Sequence, residues 1–256
     1  MSNGSARYLF AGHAIGAAAR FHRLYETENL NHVIPTLGGS VLPITGGRSE
    51  ARQEAYRYDV DAPQKRCLFA VDQIETWVEG RDLGDHFETE LSVDISGLHV
   101  VEKLHIDSVR LHLMSERKPG EDAVVSTNGS RIEGLRLGKV EARLTIDEEP
   151  LRHTATADAF AAWHSSKARP LGKAGEYHCG TIIRDIQLAG LEKDQQDLSV
   201  AGNVIVWKGF GRIILGEIHV KGHERRVTMV RLAMGSDAGG TGTAGDGQSN
   251  GGTGTT

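Results

Sequence analysis

Leu91-Ser92-Val93-Asp94-Ile95 alternates apolar and polar side chains without a break. A period of two sends successive side chains to opposite faces of an extended chain, so the segment reads as a half-buried strand. Gly97 interrupts it, and the alternation returns in Leu104-His105-Ile106. Asp107 and Ser108 then intervene before the inward phase resumes at Val109, Leu111 and Leu113, as it would across a β-bulge.

The same pattern spreads outward from this centre. Lys118-Pro119-Gly120-Glu121-Asp122 and Thr127-Asn128-Gly129-Ser130 supply turn chemistry, after which Ile132, Leu135, Leu137, Val140, Ala142, Leu144 and Ile146 continue the alternation. In the C-terminal third, Ile182 to Leu188, Leu198 to Trp207, Ile213 to Val220 and Val227 to Met234 are strand candidates, the last two joined by a hairpin turn at Lys221-Gly222-His223-Glu224. Consecutive strands with tight turns pair antiparallel. The fold class expected is all-β, a mainly antiparallel sandwich or barrel, with one or two short helices. One helix opens at Asp158 and carries Phe160 and Trp163 on one face, ending before Pro170; a second, from Arg48 to Arg57, rests on Ala51, Ala55 and Tyr58 at helical spacing.

Two strand segments, Leu135 to Arg143 and Ile213 to Lys221, match in register, with Gly138 and Gly216 at the same step. Either this is a duplicated strand with a glycine kink or two amphipathic strands agree by chance.

From Gly235 onward the chain has Gly, Thr, Ser, Asp, Ala, Gln and Asn but no aromatic or branched aliphatic residue. Such a segment has little apolar surface of its own to set against ordering entropy, so residues 235–256 are expected to be a disordered tail. Residues 1–6 are expected to be disordered as well, leaving 7–234 as a single β-rich domain. The first residues lack a signal-peptide apolar core, and nothing later approaches the roughly 18 consecutive apolar residues of a membrane span. The expectation is a cytoplasmic, soluble protein with Cys67 and Cys179 as separate thiols.

Acids exceed bases by 34 to 29 with no basic stripe, which argues against nucleic acid as a partner. No phosphate loop occurs, and the glycine-rich stretches Leu37-Gly38-Gly39-Ser40 and Thr45-Gly46-Gly47-Arg48 do not match the dinucleotide fingerprint, so no cofactor is expected and the balance leans away from an enzyme. Among the histidines, His99, His105 and His112 fall in the central strands, where His105 and His112 sit out of phase with the apolar face and read as solvated. His178, Cys179, His219 and His223, with Glu217, make an alternative set of metal ligands. Trp207, Lys208, Phe210 and Arg212 place two rings and two cations around a glycine turn and are the candidate ligand or partner contact. The reading favoured is a non-catalytic binding or assembly module that meets a protein partner or itself. The alternative is a β-barrel enzyme or small-molecule carrier using the His/Cys set.

The stretch from Leu91 to Ile146, with Ser126-Thr127-Asn128-Gly129-Ser130 and then Ile132-Glu133-Gly134-Leu135-Arg136-Leu137, resembles the β-rich bacterial surface proteins of the choice-of-anchor P class. The resemblance implies a β fold and supplies no functional residue. The chain departs from that class in showing no export signal.

Overall fold

The alternation at Leu91–Ile95 marks the middle of the longest hairpin, whose inward side chains face a second sheet. The computed structural model describes residues 7–22, 31–61, 65–167, 172–174, 176–190, 197–235, 240–249 and 252–254. In chain order these form β1 (Arg7–Leu9), β2 (Gly12–Phe21), β3 (His32–Val41), β4 (Gly47–Gln53), β5 (Tyr56–Val60) and β6 (Arg66–Val71). The long strands β7 (Gln73–Asp82), β8 (Phe87–Val100) and β9 (Leu104–Arg117) follow. Short strands β10 (Val124–Ser126), β11 (Arg131–Glu133), β12 (Leu135–Leu137) and β13 (Val140–Ile146) lead to a 3-10 turn at Glu149–His153 and helix α1 (Ala157–Ser166). After α1 come β14 (Gly172–Ala174), β15 (Tyr177–Thr181), β16 (Ile183–Ala189), β17 (Leu198–Ala201) and β18 (Val204–Trp207). The chain closes with β19 (Gly211–Lys221), β20 (Glu224–Met234), β21 (Gly240–Ser249) and β22 (Gly252–Gly254).

Two antiparallel sheets pack face to face as a sandwich. The first has the order β16-β13-β12-β9-β8-β6-β5, with β7 and β4 also joined through β8. The second has the order β14-β15-β19-β20-β21-β2-β3, with β18 and β17 attached to β19. Among the described residues neither sheet closes into a barrel. The core lies between them: Leu91, Val93, Leu111 and Leu113 from the first sheet and Val227, Val230 and Leu232 from the second are all buried. Each such side chain contributes about 1.5–3 kcal/mol by leaving water.

The largest departure from expectation is β21. Residues 240–249, expected within a disordered tail, form an interior strand paired with β20 on one side and β2 on the other. Its glycines are where the facing sheet comes close: a Cβ on Gly247 would stand 2.6 Å from Leu91 Cδ1 and 2.8 Å from Leu111 Cδ2. The strand needs no large side chains because its neighbours fill the space above it and its backbone is satisfied on both edges. β22 then pairs with β1, so 234 does not end the fold. Residues 1–6, 236–239, 250–251 and 255–256, the rest of the segments expected to be disordered, lie outside the described residues.

Three other expectations change. Arg48 to Arg57 is not a helix but parts of β4 and β5; Arg48 and Glu50 share the outward face of β4, which pairs with β7. The matching segments are not a duplication, because Gly138 (φ 62) sits in the turn between β12 and β13 whereas Gly216 (φ 56) lies inside β19. No residue is inserted at Asp107 and Ser108 either: Ser96 pairs with Ser108 and Leu98 with Ile106, and both strands change phase together at Gly97 and Asp107. A matching kink crosses the second sheet, where Gly216 and Gly245 (φ 66) flank Met229 in register. Only a residue without Cβ adopts that backbone cheaply, and a Cβ on Gly216 would also meet Ile182 at 2.7 Å.

Helix α1 begins one residue earlier than Asp158, at Ala157, with Thr156 accepting from the Ala159 N–H at 3.0 Å as its cap. Phe160 and His164 pack on β15 where Gly180 leaves room; a Cβ there would be 2.5 Å from His164 Nε2. Gly180 pairs with Ile218 of the core, so α1 covers the core-facing side of β15. Among the described residues no helix is long and apolar enough to cross a membrane.

Candidate functional site: the outer face of the second sheet

The kink in the second sheet carries acidic side chains into partial burial on its outer face. Thr228 and Asp246 are register partners, and Glu217 lies across β20 from Asp246, facing Thr228. Asp246 is 2% exposed and takes a two-pronged contact from Arg226, Nε and Nη2 each at 2.8 Å, plus the Thr228 hydroxyl at 2.8 Å. Glu217 takes the same fork from Arg231, both bonds at 2.7 Å, with His219 Nε2 at 3.3 Å. The planar guanidinium fork matches a carboxylate, and each acid in turn fixes its arginine.

Burial alone would raise the Glu217 carboxyl, yet the adjacent His219 ring and the hydrogen bonds and charge of Arg231 hold it down at about 2. The carboxylate is therefore committed as an acceptor and is no general acid or base near neutrality. Its folded pKa lies below the ordinary carboxylate range, so the stability it contributes is complete above about pH 4.5 and disappears as the pH falls toward 2. A urea-denaturation series is expected to show that loss, and Glu217→Gln to flatten it in this window; an identical pH profile in the variant would refute the assignment.

The alternative metal set does not come together. Cys179 and His219 are register partners on the outer face beside Glu217, but His178 pairs with Val220 and points to the core-facing side. His223 lies in the turn between β19 and β20. Burial first, and then the charge of Glu217, push the Cys179 thiol up, opposite to what a metal-binding or nucleophilic thiolate requires. Cys179 and Glu217 do line a cavity of about 310 Å³ together with His164, Thr181 and Asn203. Cys67 and Cys179 are both free thiols.

The aromatic contact set divides. Phe210 is 1% exposed and belongs to the core, so it is an anchor and not a contact surface. Trp207 stacks on it at 5.2 Å and lies against Gly138 of the opposite sheet, while Lys208 and Arg212 remain exposed.

Sequence reasoning missed the surface next to that pair. Arg212, Ala233, Thr241, Arg20 and Val33 are successive register partners across β19, β20, β21, β2 and β3. A groove of about 520 Å³ opens on this face, with Ala18 and Thr243 among its small lining residues and Val33, Arg20 and Arg231 beside them. A neighbouring hollow of about 420 Å³ contains Trp207, Arg212 and Thr241, so Thr241 joins the two. The signal lay in the tail: small residues in an interior strand make a low floor between taller neighbours.

No curated protein and no solved structure matches the chain. Residues 8–169 match the family described as Domain of unknown function (DUF8256), a span that stops before β15 and β19 to β21 complete the second sheet. That span is more than half of the chain, and the protein therefore belongs to the DUF8256 family.

Proposed function

We propose that the domain is a non-catalytic binding module whose contact surface is the outer face of the second sheet, and that it receives an acidic segment of a partner protein. The observation that carries this is the groove over β2, β3, β20 and β21, in which both charged lining residues, Arg20 and Arg231, are cations. Arg212 extends the positive surface through Thr241 toward Trp207. Arg231 is held in place by Glu217, so its orientation is set before a ligand arrives, which lowers the cost of binding. Small hydroxyl and methyl side chains on the floor allow an extended chain to lie close to the sheet. The free thiols fit the reducing cytoplasm as its compartment.

A fluorescent oligo-glutamate peptide is the probe, with oligo-glutamine as its neutral counterpart. Binding of the acidic peptide is expected to weaken as salt rises and to fall at least about ten-fold in Ala18→Phe, whose ring fills the groove. Equal binding of the two peptides, or full binding by a folded Ala18→Phe, would remove the groove as the contact surface.

A further inference from the structure

On the other sheet, at the end of the β8–β9 hairpin, His99 and His105 are direct register partners. Their rings lie 4.0 Å apart, with Nδ1 of one 3.1 Å from Nδ1 of the other. His105 is oriented from behind: its Nε2 is 2.6 Å from Asp107 Oδ1, and Asp107 is itself gripped by Arg136 at 2.7 and 3.2 Å. An ionised carboxylate only accepts, so the proton of neutral His105 sits on Nε2 and its Nδ1 presents a lone pair toward His99. A carboxylate behind an imidazole that offers its other nitrogen is the arrangement that orients histidine ligands in metal sites.

The spacing fits a cation. A metal about 2.0–2.1 Å from each nitrogen would subtend an N–metal–N angle of about 100°, between octahedral and tetrahedral values. We infer that His99 Nδ1 and His105 Nδ1 chelate one divalent cation of the zinc or nickel type, with water in the remaining positions. Among the described residues no three His, Cys, Asp or Glu side chains converge on one point, so this is an open two-point site and not a closed structural one. Imidazole nitrogen selects zinc, nickel or copper over calcium and magnesium, which take oxygen.

The test uses the full chain without an affinity tag and titrates zinc or nickel chloride by calorimetry. One equivalent is expected to bind, at least about ten-fold more weakly in His99→Ala and in His105→Ala. His112→Ala, on the same face, and Cys179→Ser are expected to bind as the unchanged protein does. A readout without substitution is histidine acylation by diethylpyrocarbonate, mapped by mass spectrometry: bound metal is expected to shield His99 and His105 and to leave the exposed His223 reactive. No saturable binding, undiminished binding in a His99→Ala/His105→Ala double variant, or equal acylation with and without metal would overturn the site and leave the pair as a simple hydrogen bond.

Discussion

A chain that stops after Met234 is expected not to fold. A disordered tail would be dispensable, but β21 is the strand on which β20 and β2 both close their ladders. Without it each of those two strands loses one of its two partners along most of its length, and the unpaired N–H and C=O groups on that side border an opened core. Leu91 and Leu111 above Gly247, and Val109 and Met229 beside Gly245, would be uncovered at the same time. The combined loss exceeds the roughly 5–15 kcal/mol by which a typical domain is stable. Far-ultraviolet circular dichroism on heating is the measurement: the truncated chain should show no cooperative transition where the full chain shows one. A truncated protein melting within a few degrees of the full chain would mean that β21 is not part of the fold.

Asp246→Ala should cost about 3–5 kcal/mol, because it removes one member of a buried ion pair and leaves the other without a partner. Three hydrogen bonds end on this carboxylate, two from Arg226 and one from Thr228, and the residue is 2% exposed. Arg226 is the more exposed partner, with 38% of its side chain accessible, so part of its charge can return to water and the lower half of the range is the better expectation. Adding Arg226→Met should recover much of the loss, since the orphaned charge is then gone. Urea denaturation of the single and double variants reads both effects. A single-variant loss under about 1 kcal/mol would place the pair with ordinary surface salt bridges.

How far the sequence can be read differs from strand to strand. Val93, Ile95, Leu111 and Leu113 announce themselves because one face of each strand is buried and the other solvated. β4 does not: its polar residues fill both faces, and it is held by pairing with β7, so a chance helical spacing of Ala51, Ala55 and Tyr58 outweighed a faint alternation. The twin Leu-Gly steps looked alike because a turn glycine and a kink glycine need the same positive φ, and only the register separates them. The His/Cys set failed for a related reason: His178 and Cys179 are adjacent in sequence and so point to opposite faces.

The feature hardest to see was β21, together with the groove it floors. Alternating apolar side chains report their own burial, and for that reason the all-β, antiparallel class, most of the strands from β8 to β20 and the helix around Phe160 follow from the order of residues alone. A strand of glycine, threonine and alanine reports nothing, because its place depends on the side chains of Leu91, Leu111 and Val109 above it and on two neighbouring backbones. The pairing of Arg231 with Glu217, of Arg226 with Asp246 and of His99 with His105 likewise joins residues from different strands. Such contacts are decided by strand register and sheet kink, which belong to the packed whole and have no local signature.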